Sequence, residues 1–114
     1  MQDISHHTLE KMLANRDPVT AVFVYTPLCG TCKLASKMMT VVESALEPFP
    51  IFSLNINHSP AFAQNWKIKS VPCLLLFQKG LGVERIYAFH SIGYLHSMLK
   101  PYAAVRALME KKTN

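Results

Sequence analysis

Two cysteines, Cys29 and Cys32, stand three positions apart where an apolar run, Val19–Tyr25, gives way to residues that favour helix. A helix start carries unpaired backbone amides and the positive end of the helix dipole. A thiolate at Cys29 is stabilised there, which takes its pKa from ~8.5 toward ~7 or lower. The spacing sets Cys32 one turn further on the same face, so its sulfur can attack a mixed disulfide formed at Cys29. Thiol–disulfide exchange requires an ionised attacker, a good leaving thiol and access. Gly30 keeps the turn open, and Thr31 retains a backbone amide that proline would remove.

The competing chemistry for such a pair is metal binding. A structural zinc site needs four nitrogen or sulfur ligands. No second cysteine pair exists, and His6, His7, His58, His90 and His96 show no ligand spacing. The third cysteine, Cys73, is remote in sequence. It reads either as a small packing residue or as a third thiol that forms an alternative disulfide or joins Cys29 and Cys32 on a metal or iron–sulfur cluster. Lys33 and Lys37 read as solvated helix charges, the alternative being a positive field near the thiolate.

The elements that must hold the pair follow from periodicity. Ile4 to Asn15 has Leu9, Met12 and Leu13 on one helical face and ends at Asp17–Pro18. Val19–Tyr25 is continuous, β-branched and aromatic, as a strand buried on both faces would be. A helix runs from Cys29 to about Leu46, stopped by Glu47–Pro48. Ile51–Asn57 reads as a second strand. Ser59–Pro60 starts a helix through Phe62, Ala63 and Trp66, with the hydroxyl as cap. Val71–Phe77, opened by Pro72, and Val83–Phe89 form a hairpin about Lys79–Gly80. Ser91 caps a last helix with Ile92, Leu95, Leu99, Tyr102 and Met109 on one face, which Pro101 is expected to kink or split. Phe23, Tyr25 and Trp66 read as packing residues. The fold class is α/β: a mixed four-stranded sheet with parallel crossovers, a closing antiparallel hairpin and helices on both faces.

The 114 residues make one domain, 1–114, large enough for one core. Half the residues are apolar and 17 % are charged, a globular composition. The net charge of +5 is dispersed, with Lys67 and Lys69 by a loop and Lys111–Lys112 at the end, so no nucleic-acid stripe is expected. No apolar run nears the roughly 20 residues of a membrane span. The first eighteen residues lack the apolar segment of a secretory signal. With an odd number of cysteines and no disulfide framework, the expected compartment is the cytoplasm.

With VFVYTPLCGTCK, SLNIN and IKSVPCLLLFQKG in place, the sequence is similar to the thioredoxin family from about Val19 to Leu99. The resemblance implies a thioredoxin-like fold. It implies that Pro72 is a cis-proline beside the cysteine pair, that Val71 offers a backbone contact to substrate, and that Leu28, Gly30 and Thr31 share that contact surface. The departures carry consequences. Leu28 replaces the family's tryptophan and Thr31 its proline, a change expected to make the pair less reducing than thioredoxin's ~−270 mV. The family's buried aspartate falls on Phe23 and its lysine partner on Ser53. Losing both together is coherent, since a lone buried charge is costly. Deprotonation of Cys32 is then left to water or to another neighbour. The groove glycine falls near Ala88 or Phe89, threonine is frequent in the family where Cys73 stands, and the family's first strand is absent or vestigial before Ile4.

The expected function is a thiol–disulfide oxidoreductase, with Cys29 as nucleophile and Cys32 as resolving thiol. It needs no bound cofactor. Its partners would be disulfide-containing proteins or small thiols, with a thiol or flavoprotein reductase as donor and no nucleic acid or membrane. The alternatives are a metal or cluster site on Cys29, Cys32 and Cys73, alone or across a dimer, and an interaction module that keeps the fold without turnover.

Overall fold

The computed structural model describes residues 1–46 and 49–113, with side chains to residue 110. The expected helix stop at Glu47–Pro48 and the Lys111–Lys112 side chains lie outside that description. In chain order the elements are β1 (Gln2–Asp3), α1 (His6–Ala14), β2 (Val19–Tyr25), α2 (Gly30–Ala45), β3 (Ile51–Asn55), a single 3₁₀ turn (Ile56–His58), α3 (Pro60–Asn65), β4 (Cys73–Gln78), β5 (Leu81–Ile86) and α4 (Ile92–Thr113).

Among the described residues, five strands form one mixed sheet in the order β1-β3-β2-β4-β5, one strand more than the expected four. The addition is β1, which pairs in parallel with β3 through Gln2↔Phe52 and Asp3↔Ser53. Two residues carry no alternation that a period-two pattern could detect. β2 is parallel to β3 but antiparallel to β4, and β4 to β5 is an antiparallel hairpin. The link from β3 through α3 to β4 is therefore not a parallel crossover, contrary to the expectation that every helix between strands marks one.

β2 is central because both its faces are buried. Val19, Ala21 and Phe23 join Leu74 and Leu76 of β4 under α2 and α4. Val22 and Val24 join Cys73, Leu75 and Phe77 on the opposite face, under Leu9 of α1 and Phe62 of α3. The strand's alternation thus divides the core into two layers, each anchored by side chains worth about 1.5–3 kcal/mol apiece on full burial. Trp66 packs edge-on against Phe77 in the second layer, as a packing residue should.

The hairpin turn has φ of 51° at Lys79 and 83° at Gly80. Positive φ at both central residues matches the twist of the flanking strands. Ser91 caps α4 as expected, accepting a hydrogen bond from the Tyr94 amide at 3.0 Å. Pro101 does not split α4, which runs as one helix with the proline inside it. Leu95 and Leu99, fully buried against the sheet, fasten the turns just before the proline. Ser59 sits at the N-cap of α3, but its side chain makes no capping bond. Its hydroxyl pairs instead with His6 Nδ1 of α1 at 2.8 Å, joining the two helices of one layer.

Candidate active site

Cys29 is the N-cap residue of α2, with φ −90° and ψ 112°. Its sulfur accepts the Cys32 amide at 3.1 Å, taking the place that a serine or aspartate oxygen fills at an ordinary cap. The Thr31 hydroxyl lies 3.3 Å from the same sulfur. A negative charge on this atom would meet an amide donor, a hydroxyl and the positive end of a helix sixteen residues long. Cys29 and Cys32 are joined as a disulfide with Cα atoms 5.1 Å apart.

The two sulfurs differ in access. Cys32 is 2 % exposed, whereas Cys29 is half-buried at the edge of the helix. Leu28 beside it is 97 % exposed, an apolar side chain held out into solvent. Pro27, Gly30 and Thr31 are exposed as well. The Val71–Pro72 peptide bond is cis, and the Val71 carbonyl oxygen lies 4.0 Å from Cys29 Sγ. The residues Leu28, Gly30, Thr31, Val71 and Pro72 therefore gather around one sulfur, although Val71 and Pro72 come from a distant part of the chain.

Cys73 is not part of this group. It is fully buried in the layer beneath α1 and α3, on the face of the sheet opposite α2. Being adjacent to Pro72 in sequence does not bring its side chain to the same side, because strand residues alternate in direction. Burial is the main cause that pushes its thiol up to about 11, offset in part by the Arg85 charge and the Tyr87 hydroxyl. Among the described residues, no three His, Cys, Asp or Glu side chains stand together to hold a metal ion. The reading of Cys29, Cys32 and Cys73 as one ligand set is accordingly overturned.

Phe23 is 1 % exposed, stacked with Tyr25 at 6.1 Å and edge-on to Phe89 at 5.8 Å. Phe89 is thus a core residue. Lys33 and Lys37 are exposed on α2 and border a cavity of about 670 Å³ that also reaches Cys32. Opposite them, in strand register, lie Phe23, Ser53 and Asp3. Asp3 accepts hydrogen bonds from the Ser53 hydroxyl at 2.8 Å and the Tyr25 hydroxyl at 3.0 Å. Sequence reasoning missed Asp3, since nothing near it in the chain signals the β1–β3 pairing that carries it here. Tyr25, expected only to pack, also supplies a polar tip.

A thiol at a helix N-terminus, a second thiol one turn along and a cis-proline opposite define a class of protein. The thioredoxin family profile matches residues 1–100, and the chain belongs to the thioredoxin family. It is a thiol–disulfide oxidoreductase. The thioredoxin-like protein YusE of Bacillus subtilis (strain 168) is 47 % identical over 100 residues, covering 88 % of this chain and 92 % of that protein. Thioredoxin of Porphyra purpurea is 22 % identical over 103 residues, covering 90 % and 96 %. Chloroplastic thioredoxin z superposes with a TM-score of 0.78 at 18 % identity, over 91 % of this chain and 95 % of that one. Mitochondrial thioredoxin 3 from Saccharomyces cerevisiae gives 0.75 at 16 % identity, over 89 % and 94 %. These last two establish likeness of fold. Among the described residues, no helix is long and apolar enough to cross a membrane.

Proposed function

We propose that Cys29 attacks the disulfide of a protein substrate and that Cys32 resolves the mixed disulfide, with residues 1–114 acting as one domain. The observation that carries this assignment is the asymmetry of the pair. Cys29 Sγ accepts the Cys32 amide at the helix start and is the more accessible sulfur, while Cys32 is 2 % exposed. Only a sulfur that is both ionised and reachable can begin the exchange.

Substrate docks on Leu28, Gly30 and Thr31 from one side and on Val71–Pro72 from the other. The exposed Leu28 side chain favours an apolar residue flanking the substrate cysteine. The oxidised pair is returned to dithiol by a small thiol or a flavoprotein reductase, in the cytoplasm. No bound cofactor takes part, because both electrons reside on the two sulfurs.

The experiment is capture. A Cys32→Ser variant leaves the mixed disulfide on Cys29 unresolved, so incubation with an oxidised protein such as insulin yields a dithiothreitol-sensitive adduct. The Cys29→Ser variant yields none, and only the wild type catalyses insulin reduction by dithiothreitol. An adduct that forms on the Cys29→Ser variant instead, or wild-type catalysis no faster than Cys29→Ser, contradicts the assignment.

A further inference from the structure

The resolving step raises a problem that the cysteine pair does not solve for itself. Cys32 must lose a proton to attack, yet it is buried, and the amide and dipole of the helix start favour charge on Cys29. The strand position in register with Ser53 is the apolar Phe23. A base must come from elsewhere or the proton must leave unaided.

The cavity beside Cys32 supplies a candidate. At about 670 Å³ it is large enough for water. Asp3 is the one carboxylate among the described residues lining it. Asp3 is fixed from two sides, because the Ser53 and Tyr25 hydroxyls both donate to its Oδ1. Its Oδ2 is in neither bond. It is exposed on the outer strand, so a proton that it receives can pass on to solvent.

We infer that Asp3, held by Ser53 and Tyr25, accepts the Cys32 proton through cavity water during resolution of the mixed disulfide. This rests on the exchange reading above. Cys32 Sγ–H gives its proton through water to the Asp3 carboxylate. The sulfur's electron pair forms the bond to Cys29 Sγ. The bond from Cys29 Sγ to the substrate sulfur breaks, and its electron pair leaves on the substrate thiolate. The substrate is reduced, the cysteine pair is oxidised, and Asp3 returns the proton to bulk water.

The Tyr25 hydroxyl is held as a donor, since burial, the Asp3 hydrogen bond and the Asp3 charge all raise its pKa. Other titratable groups face Asp3. The Met1 amine lines the same cavity, paired with Glu43 at 3.0 Å, as do Lys33 and Lys37 from α2. His6, His7 and His58 share a second hollow with Asp3.

The test separates the two chemical steps with an aromatic disulfide, 5,5′-dithiobis(2-nitrobenzoate). Attack by Cys29 releases one coloured thiolate, and resolution by Cys32 releases the second. Asp3→Asn keeps an oxygen for both hydroxyls but removes the base. At pH 7 it slows the second release on the order of a hundredfold, the lower end of what general-base assistance provides, while the first release is unchanged. At about pH 10 hydroxide is abundant enough to take the Cys32 proton without Asp3, and the two proteins converge. A second release equal to wild type at pH 7, or one slowed equally at both pH values, overturns the role of Asp3. A wild type that never gives a second release overturns the exchange reading itself.

Discussion

Cys73 provides a test in which a thiol should fail to react. In a Cys29→Ser/Cys32→Ser variant it is the sole thiol of the chain. Burial holds its pKa at about 11. At pH 8 the thiolate fraction is then about 0.1 %, against roughly 24 % for a thiol at ~8.5, a deficit of about 200-fold. A more basic thiolate is a better nucleophile, which restores about tenfold and leaves a deficit of about 20-fold from ionisation alone. Full burial adds to this, because a reagent must wait for the sheet layer under α1 and α3 to open. Iodoacetamide labelling followed by intact mass should therefore be at least about 20-fold slower than for free cysteine, and should become fast in urea. Labelling of the folded variant within threefold of free cysteine would refute the placement of Cys73. The same shift bears on stability. The folded state keeps its proton above pH 9.0, where the unfolded chain begins to lose it, so unfolding releases a proton there. Stability contributed by this group is complete below pH 9 and falls as pH rises toward 11, by at most about 1.4 kcal/mol per pH unit. Urea titrations of wild type and Cys73→Ala should diverge in slope over that window.

Three further outcomes are expected. Gly80 has φ +83°, and a Cβ there would collide with the Leu13 carbonyl, so Gly80→Ala should lower stability by about 1–3 kcal/mol in thermal melts. Phe23→Asp removes a fully buried ring and sets a carboxylate in register with Ser53, the position where the resemblance puts the family's lysine; urea unfolding should show a loss of about 3–5 kcal/mol rather than a gain in function. Thr31→Val removes the hydroxyl 3.3 Å from Cys29 Sγ and should raise the Cys29 pKa, read as thiolate absorbance against pH. Thr31→Ser should restore it, and because the site is exposed the hydrogen bond is worth about 1 kcal/mol or less.

The local chemistry was readable because its causes are local. A cysteine at a strand-to-helix junction becomes a cap for the same reason that a serine does, and the β-branched and aromatic Val19–Tyr25 run fits a strand covered on both sides. The Val71–Pro72 pair was placed by family likeness, with no local rule to bring it to Cys29. What escaped was set by pairing between distant residues. Gln2–Asp3 becomes a strand only because the edge of β3 is open to it, and with it Asp3 reaches the cavity near Cys32. The direction of β4 depends on which neighbour it pairs with, which hydrophobic spacing does not encode. Cys73 reads from sequence either as a packing residue or as a third thiol at the site, and the alternation of β4 decides for the first. The Ser59 hydroxyl, offered to its own helix, went to His6 because packing of α1 on α3 brought a ring nitrogen within reach.

The behaviour of the Cys29–Cys32 couple in a graded thiol buffer decides whether these sulfurs are the working pair. Equilibration with reduced and oxidised glutathione, acid quenching and peptide mass analysis should show one two-electron transition confined to Cys29 and Cys32. Its midpoint should lie above the ~−270 mV of thioredoxin, and Cys73 should stay a thiol throughout. A pair that never closes across the buffer range, or one in which Cys73 takes the place of either partner, would contradict the account.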